Sequence, residues 1–144
     1  MKIYTIGFTQ KTARQFFECL RTSGARSLID VRRHPDSQLS GFAKGGDLAY
    51  FLPALAGLSY RRELLLAPSD GLLRAYRDKV LTWDMYAQAF IAELEARNVE
   101  TVLRRDEIIG SVLLCSEHTA DRCHRRLCVE FLSRHWGAIN RIDL

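Results

Sequence analysis

Apolar and polar positions along the chain follow two periods, and the switches between them mark the elements. Lys2-Ile3-Tyr4-Thr5-Ile6 is β-branched and aromatic and stops at Gly7, which predicts a first strand. Thr12 and Gln15 have capping-box spacing, and Phe16, Phe17 and Leu20 follow on one face of a helix that ends near Gly24. Ser27-Leu28-Ile29-Asp30-Val31 is apolar apart from its acid and predicts a second strand. Strand, helix and strand within about thirty residues form a βαβ unit, whose strands are parallel and whose crossover is right-handed.

Residues 34 to 47 read as a loop with Pro35, Gly41, Gly45 and Gly46. Asp47 is expected to cap a helix running toward Gly57, kinked or shortened at Pro53. Leu58 to Arg62 is a third strand, and a helical stretch covers Leu72 to Val80. A stronger helix is capped by Thr82 and carries Tyr86, Ala89, Phe90 and Leu94 inward. Ser111 to Cys115 is a buried strand, followed by a helix with Leu127, Phe131 and Leu132 inward, and Ala138 to Leu144 can add an edge strand. The expected fold is a single three-layer α/β domain over residues 1–144, with a mostly parallel sheet of about five strands and helices on both faces.

Composition narrows the class without naming a function. A hydrophobic share of 47% and a charged share of 26% are those of a globular chain. Met1 to Gly7 lacks the apolar core of a signal peptide, and runs such as Leu64-Leu65-Leu66-Ala67 are too short to cross a bilayer. No membrane association is expected, and the expected location is the cytoplasm, where the four cysteines would be reduced thiols. A net charge of +4 favours an anionic partner, either a small molecule or a nucleic acid. No cofactor is called for, and no feature specifies an oligomeric state.

In an open parallel sheet, ligands bind beyond the carboxyl ends of the strands. The first strand ends in Gly7, Phe8 and Thr9; the second ends in Asp30 and Arg32, two apart and so on one face; the late strand ends in Cys115, Ser116 and Glu117. The stretch CSEHTADRCHRRLC, residues 115 to 128, then crowds acids, His, Arg and Cys together. With Thr119 as N-cap, Arg122, Arg125 and Arg126 fall in the first two turns, where the helix dipole makes cations unfavourable. Either Glu117, Asp121 and Asp30 pair with them, or a bound anion sits over the helix start.

Several chemistries can be weighed on this segment. Zinc on Cys115, Cys123 and His124, with His118 or Cys128 in reserve, lacks the paired short spacing of a structural site, so no metal is assigned. A phosphatase-like or rhodanese-like loop needs Cys, five residues and Arg, but Asp121 holds that sixth position and Arg122 comes one later. Cys115 and Cys128 are therefore read as buried packing residues. Glu117 is the catalytic candidate as general acid or base, with Asp30 beside it and His124 to orient it or share its proton. Gly7, Thr9, Arg32, Arg122 and Arg125 are the ligand-binding candidates, with Lys44 reaching over from the glycine-rich loop.

The set YTIGFT, LIDVR, SQLSGFAK, LAPS and LLCSEHTADRCHRRL resembles, from end to end, the family catalogued as domain of unknown function 488. Its most specific mark is Cys-x-Glu followed by Cys-His-Arg. The resemblance implies a compact α/β domain and no settled reaction, and its motif positions here are Gly7, Asp30, Arg32, Phe42, Cys115, Glu117, Cys123, His124 and Arg125. Leu65 stands where members often carry an acid, and Arg62 where they often carry His, which puts any activity needing that acid in doubt; Pro53 replaces a helix-compatible residue. Three roles remain open: an enzyme on a nucleotide, phosphorylated metabolite or nucleic acid; a noncatalytic nucleotide- or nucleic-acid-binding module; and a scaffold with an internal Arg–carboxylate network.

Overall fold

The computed structural model describes residues 1–117 and 120–144, with Gln38 described by its backbone. Five parallel strands form one sheet: β1 (Lys2–Gly7), β2 (Ser27–Asp30), β3 (Ser59–Arg62), β4 (Val112–Cys115) and β5 (Asn140–Asp143), in the order β3-β2-β4-β1-β5. The helices are α1 (Ala13–Thr22), α2 (Gly45–Phe51), α3 (Asp70–Arg77), α4 (Trp83–Ala96), α5 (Val99–Val102), α6 (Arg105–Ile108) and α7 (His124–Trp136). The fold is α/β with helices on both sheet faces, as the pattern predicts, and the sheet is parallel throughout.

Period-two alternation along the strands separates two cores. Leu28, Val112, Leu114 and Ile6 pack against Phe16, Phe17 and Leu20 of α1 and Leu48 of α2. Ile3, Ile29, Val31 and Leu113 pack on the other face against Phe90 and Leu94 of α4 and Leu127, Phe131 and Leu132 of α7. The central strand β4 is buried along its whole length, which explains its unbroken apolar run. α1 therefore leaves β1 toward one face while α7 leaves the neighbouring β4 toward the other. This divergence of adjacent connections is the topological switch point where open α/β sheets hold their ligands.

Local chemistry accounts for the boundaries. Thr12 and Gln15 close the capping box of α1 in both directions, and Thr82 accepts from the Met85 amide at the start of α4. α2 begins two residues before Asp47, with Lys44 as N-cap and no side-chain cap bond, so Asp47 sits inside the first turn instead of capping it. Pro53, which cannot donate an amide hydrogen, lies where the regular helix gives way to a wider turn over Leu52–Ala56, and left-handed Gly57 ends it. α5 and α6 fill the stretch before β4 that the periodicity left unassigned; each is a single turn, too short to show an amphipathic repeat. α7 starts at His124 with Cys123 as N-cap; the expected Thr119 cap lies outside the described residues. Arg122 accordingly precedes the helix, and only Arg125 and Arg126 enter its first turn.

Candidate functional site

Parallel pairing brings the tips of β1, β2 and β4 to one rim, with Gly7 beside Cys115 and Asp30 beside Leu114. The side chains then part to opposite faces. Asp30 continues the Leu28 side, and its carboxylate receives Arg32 through Nε at 2.8 Å and Nη2 at 2.7 Å, with the Tyr60 hydroxyl donating at 2.7 Å. Arg32 also donates to the Ala43 carbonyl at 2.6 Å and the Ser40 hydroxyl at 3.3 Å, and lies over the Phe8 ring. Both charged side chains are almost fully buried. Burial and the bond to Asp30 push the Tyr60 phenol upward, away from ionisation. This is an internal Arg–carboxylate unit fastening the loop after β2 to the sheet. Lys44 opens α2 on that same side of the molecule.

Gly7, Thr9 and Arg125 hold the switch point together. The Thr9 amide and hydroxyl both donate to the Ser116 carbonyl, at 3.3 and 2.7 Å, tying the β1 loop to the β4 loop. Arg125 is buried and sends Nη1 to the Glu117 carbonyl at 2.6 Å and the Cys115 sulfur at 2.9 Å. A Cβ on Gly7 would collide with the Glu117 carbonyl and come within 2.7 Å of that same Nη1, so the missing side chain is what admits the guanidinium. Burial lowers Arg125 to about 10, against the opposing charges of Asp143 and Glu117. Lys11, on the β1 loop, is pushed down by burial and by the Arg125 charge, which places a second cation in this neighbourhood.

The opposite face carries a cavity of about 120 Å³ at the end of β4. Its walls include Cys115, Ser116, Glu117, Arg122, Cys123 and His124 from the β4–α7 segment, with Leu73, Tyr76 and Tyr86 from α3 and α4. Glu117 and Arg122 are exposed there. Leu73 also borders a second cleft of about 170 Å³ lined by His34, Asp70, Arg74 and Arg77. In it Asp70 meets His34 at 2.5 Å and Arg33 at 3.5 Å, and the His34 bond above all holds its carboxyl below the usual range. Among the described residues Arg74 and Arg122 enter no ion pair. Arg126, by contrast, pairs with Glu130 and covers the Trp83 ring.

The structure thus sorts the candidates from the sequence. Glu117, Arg122 and His124 share a cavity; Gly7, Thr9 and Arg125 brace its rim; Asp30, Arg32 and Lys44 lie on the other side of the sheet and do not line it. Sequence reasoning missed His34, Arg74, Arg77 and Tyr76. The Arg74 and Arg77 pair, three apart on α3, was the available signal, since such spacing puts both on one helix face. Among the described residues no group of three or more His, Cys, Asp or Glu is arranged to hold a metal ion; the reserve zinc ligand His118 lies outside them. Cys115 and Cys123 are joined sulfur to sulfur, which corrects the expectation of four reduced thiols, while Cys19 and Cys128 are free.

His124 is a buried neutral base. Its Nε2 donates to the Val31 carbonyl at 2.7 Å, which leaves Nδ1 unprotonated and facing Cys123. Burial lowers its pKa from 6.5 to about 4, against the Val31 bond. The unfolded chain therefore takes up a proton near pH 6.5 that the folded chain refuses until about 4. Stability is complete above the upper value and lost as pH falls toward the lower one, by about 3 kcal/mol. Urea midpoints followed from neutral to mildly acid pH should show this loss, and His124→Gln should flatten it.

A family model described as "Domain of unknown function DUF488" matches residues 12–132, from the α1 capping box into α7, leaving β1 and β5 outside the match. Searches of curated proteins and of solved structures found no match. With the cavity walls Cys115, Glu117, Cys123 and His124 inside the matched region, the chain belongs to the DUF488 family.

Proposed function

We propose that this protein binds a phosphate-bearing ligand, a nucleotide, phosphorylated metabolite or nucleic-acid end, across the β4 cavity and the adjoining α3 cleft. The observation that carries the reading is the set of arginines lining two hollows that share Leu73: Arg122 in the first, Arg74 and Arg77 in the second. Arginine suits this role because its planar fork matches phosphate oxygens in pairs. Arg74 and Arg122, which enter no ion pair among the described residues, can offset the desolvation an anion must suffer on entry. Tyr76 offers a ring face on which a base or sugar can rest. Arg125 contributes by position: it fixes the Glu117 backbone and adds positive field behind the cavity.

Glu117 is then the group placed to move a proton. It is exposed in the cavity beside Arg122, and its main chain is held by Arg125, so its carboxylate faces ligand from a fixed base. The noncatalytic reading uses the same cations without Glu117. A thermal-shift panel of nucleotides, sugar phosphates and short oligonucleotides tests the proposal. At saturating ligand the wild type should gain several degrees, and Arg122→Ala should lose most of that gain. Glu117→Gln should keep the gain while abolishing turnover of a substrate the panel identifies; retained turnover would leave a binding module. Wild-type protein unmoved by every phosphate compound would overturn the reading.

A further inference from the structure

The cavity also carries a sulfur pair that anion binding does not use. Cys115 ends β4, Cys123 caps α7 eight residues later, and their sulfur atoms are joined at the cavity wall. Two features fit a pair that opens and closes better than a permanent staple. A guanidinium nitrogen of Arg125 donates to the Cys115 sulfur at 2.9 Å, where a cation stabilises the thiolate that a reduced pair would expose. His124 turns its unprotonated Nδ1 toward the Cys123 sulfur at 4.0 Å, a base beside the second thiol. All three cysteines are buried, but Cys115 and Cys123 line the cavity, whereas Cys128 holds its S–H on the Leu66 carbonyl at 3.4 Å and has its thiol pushed far up by burial.

We infer that Cys115 and Cys123 form a redox-active dithiol that exchanges with small organic disulfides admitted through the β4 cavity. The reduced pair starts with Cys115 as a thiolate held by Arg125. Its sulfur attacks one sulfur of the disulfide RS–SR, forming a Cys115–SR mixed disulfide and releasing RS⁻. Cys123 gives its proton toward His124 Nδ1 and attacks the Cys115 sulfur, closing the internal bond and releasing the second RS⁻. The two protons lost by the cysteines end on the two released thiols, so one RS–SR is reduced to two RSH as the dithiol is oxidised. The cavity volume of about 120 Å³ limits this to compact disulfides. The inference shares a cavity with the phosphate reading but not its cations, and an Arg122→Ala protein that binds no phosphate compound should still exchange.

The test uses the full chain with Cys19→Ala, so that only the pair and buried Cys128 remain, reduced and then mixed with 2-hydroxyethyl disulfide. Intact mass should fall by two hydrogens with no lasting adduct, one disulfide should yield two mercaptoethanol molecules, and peptide mapping should find Cys115 linked to Cys123. Dithiothreitol should restore the starting mass. Adding Cys123→Ser should stop the reaction at a hydroxyethylthio adduct on Cys115. A dithiol that keeps its mass, or one that carries stable adducts without closing the internal bond, overturns the proposal. The Cys19→Ala measurement alone decides should the serine variant fail to fold.

Discussion

Asp30→Ala is expected to destabilise the protein by about 3–5 kcal/mol, enough to threaten folding in a domain of this size. The cause is the cation left behind. Arg32 is as buried as its partner and gives Asp30 a two-nitrogen fork; without the carboxylate, its charge sits among Phe8, Ser40 and the Ala43 carbonyl with no counter-ion in that cage. Tyr60 loses its acceptor in the same step. Asp30→Ala with Arg32→Met should recover much of the loss, since removing both charges leaves none unpaired. Denaturant midpoints for the two singles and the double form the cycle that measures this. An Asp30→Ala protein of wild-type stability that loses ligand turnover would return Asp30 to the catalytic role that its position at a strand end suggests.

Gly7→Ala should be nearly as costly, about 3 kcal/mol or more, for a steric reason. The added methyl meets backbone, the Glu117 carbonyl, and the Arg125 fork, neither of which can swing aside as a surface side chain would. Relief requires the β1 and β4 loops to separate, which breaks the Thr9 bonds to Ser116 and frees Arg125 from the Glu117 carbonyl. A structured but weakened variant should therefore also lose ligand-induced stabilisation. Gly71, with open space around its Cβ position, is the control: Gly71→Ala should change the midpoint by less than about 0.5 kcal/mol.

These expectations separate what a linear reading can recover from what it cannot. The strands themselves and the crowding of Gly7, Asp30 and Cys115 at one rim follow from local pattern and parallel βαβ pairing, so they were legible; the strand order was not. The division of that rim was not. Asp30 and Cys115 point to opposite faces, and which face each presents depends on inter-strand register, a property of pairing that no single strand encodes. The start of α7 was not legible either: the helix begins at His124 with Cys123 as N-cap and no side-chain cap bond, so residue type gives no signal for it. The spacing of Arg74 and Arg77 shows a shared helix face, but that this face lies next to the β4 cavity depends on Leu73 lining both hollows, a tertiary fact.

On the proposed function, phosphate enters on the α3 and α7 side of the switch point. The decisive measurement is backbone amide NMR during titration with a nucleotide or other phosphate compound that stabilises the wild type. Saturable shifts are expected at Glu117, Arg122, Leu73 to Arg77 and His34, with α1 and the Lys44–Tyr50 segment unmoved. Saturable shifts centred on Lys44, Arg32 and α2, with the β4 cavity silent, would contradict it.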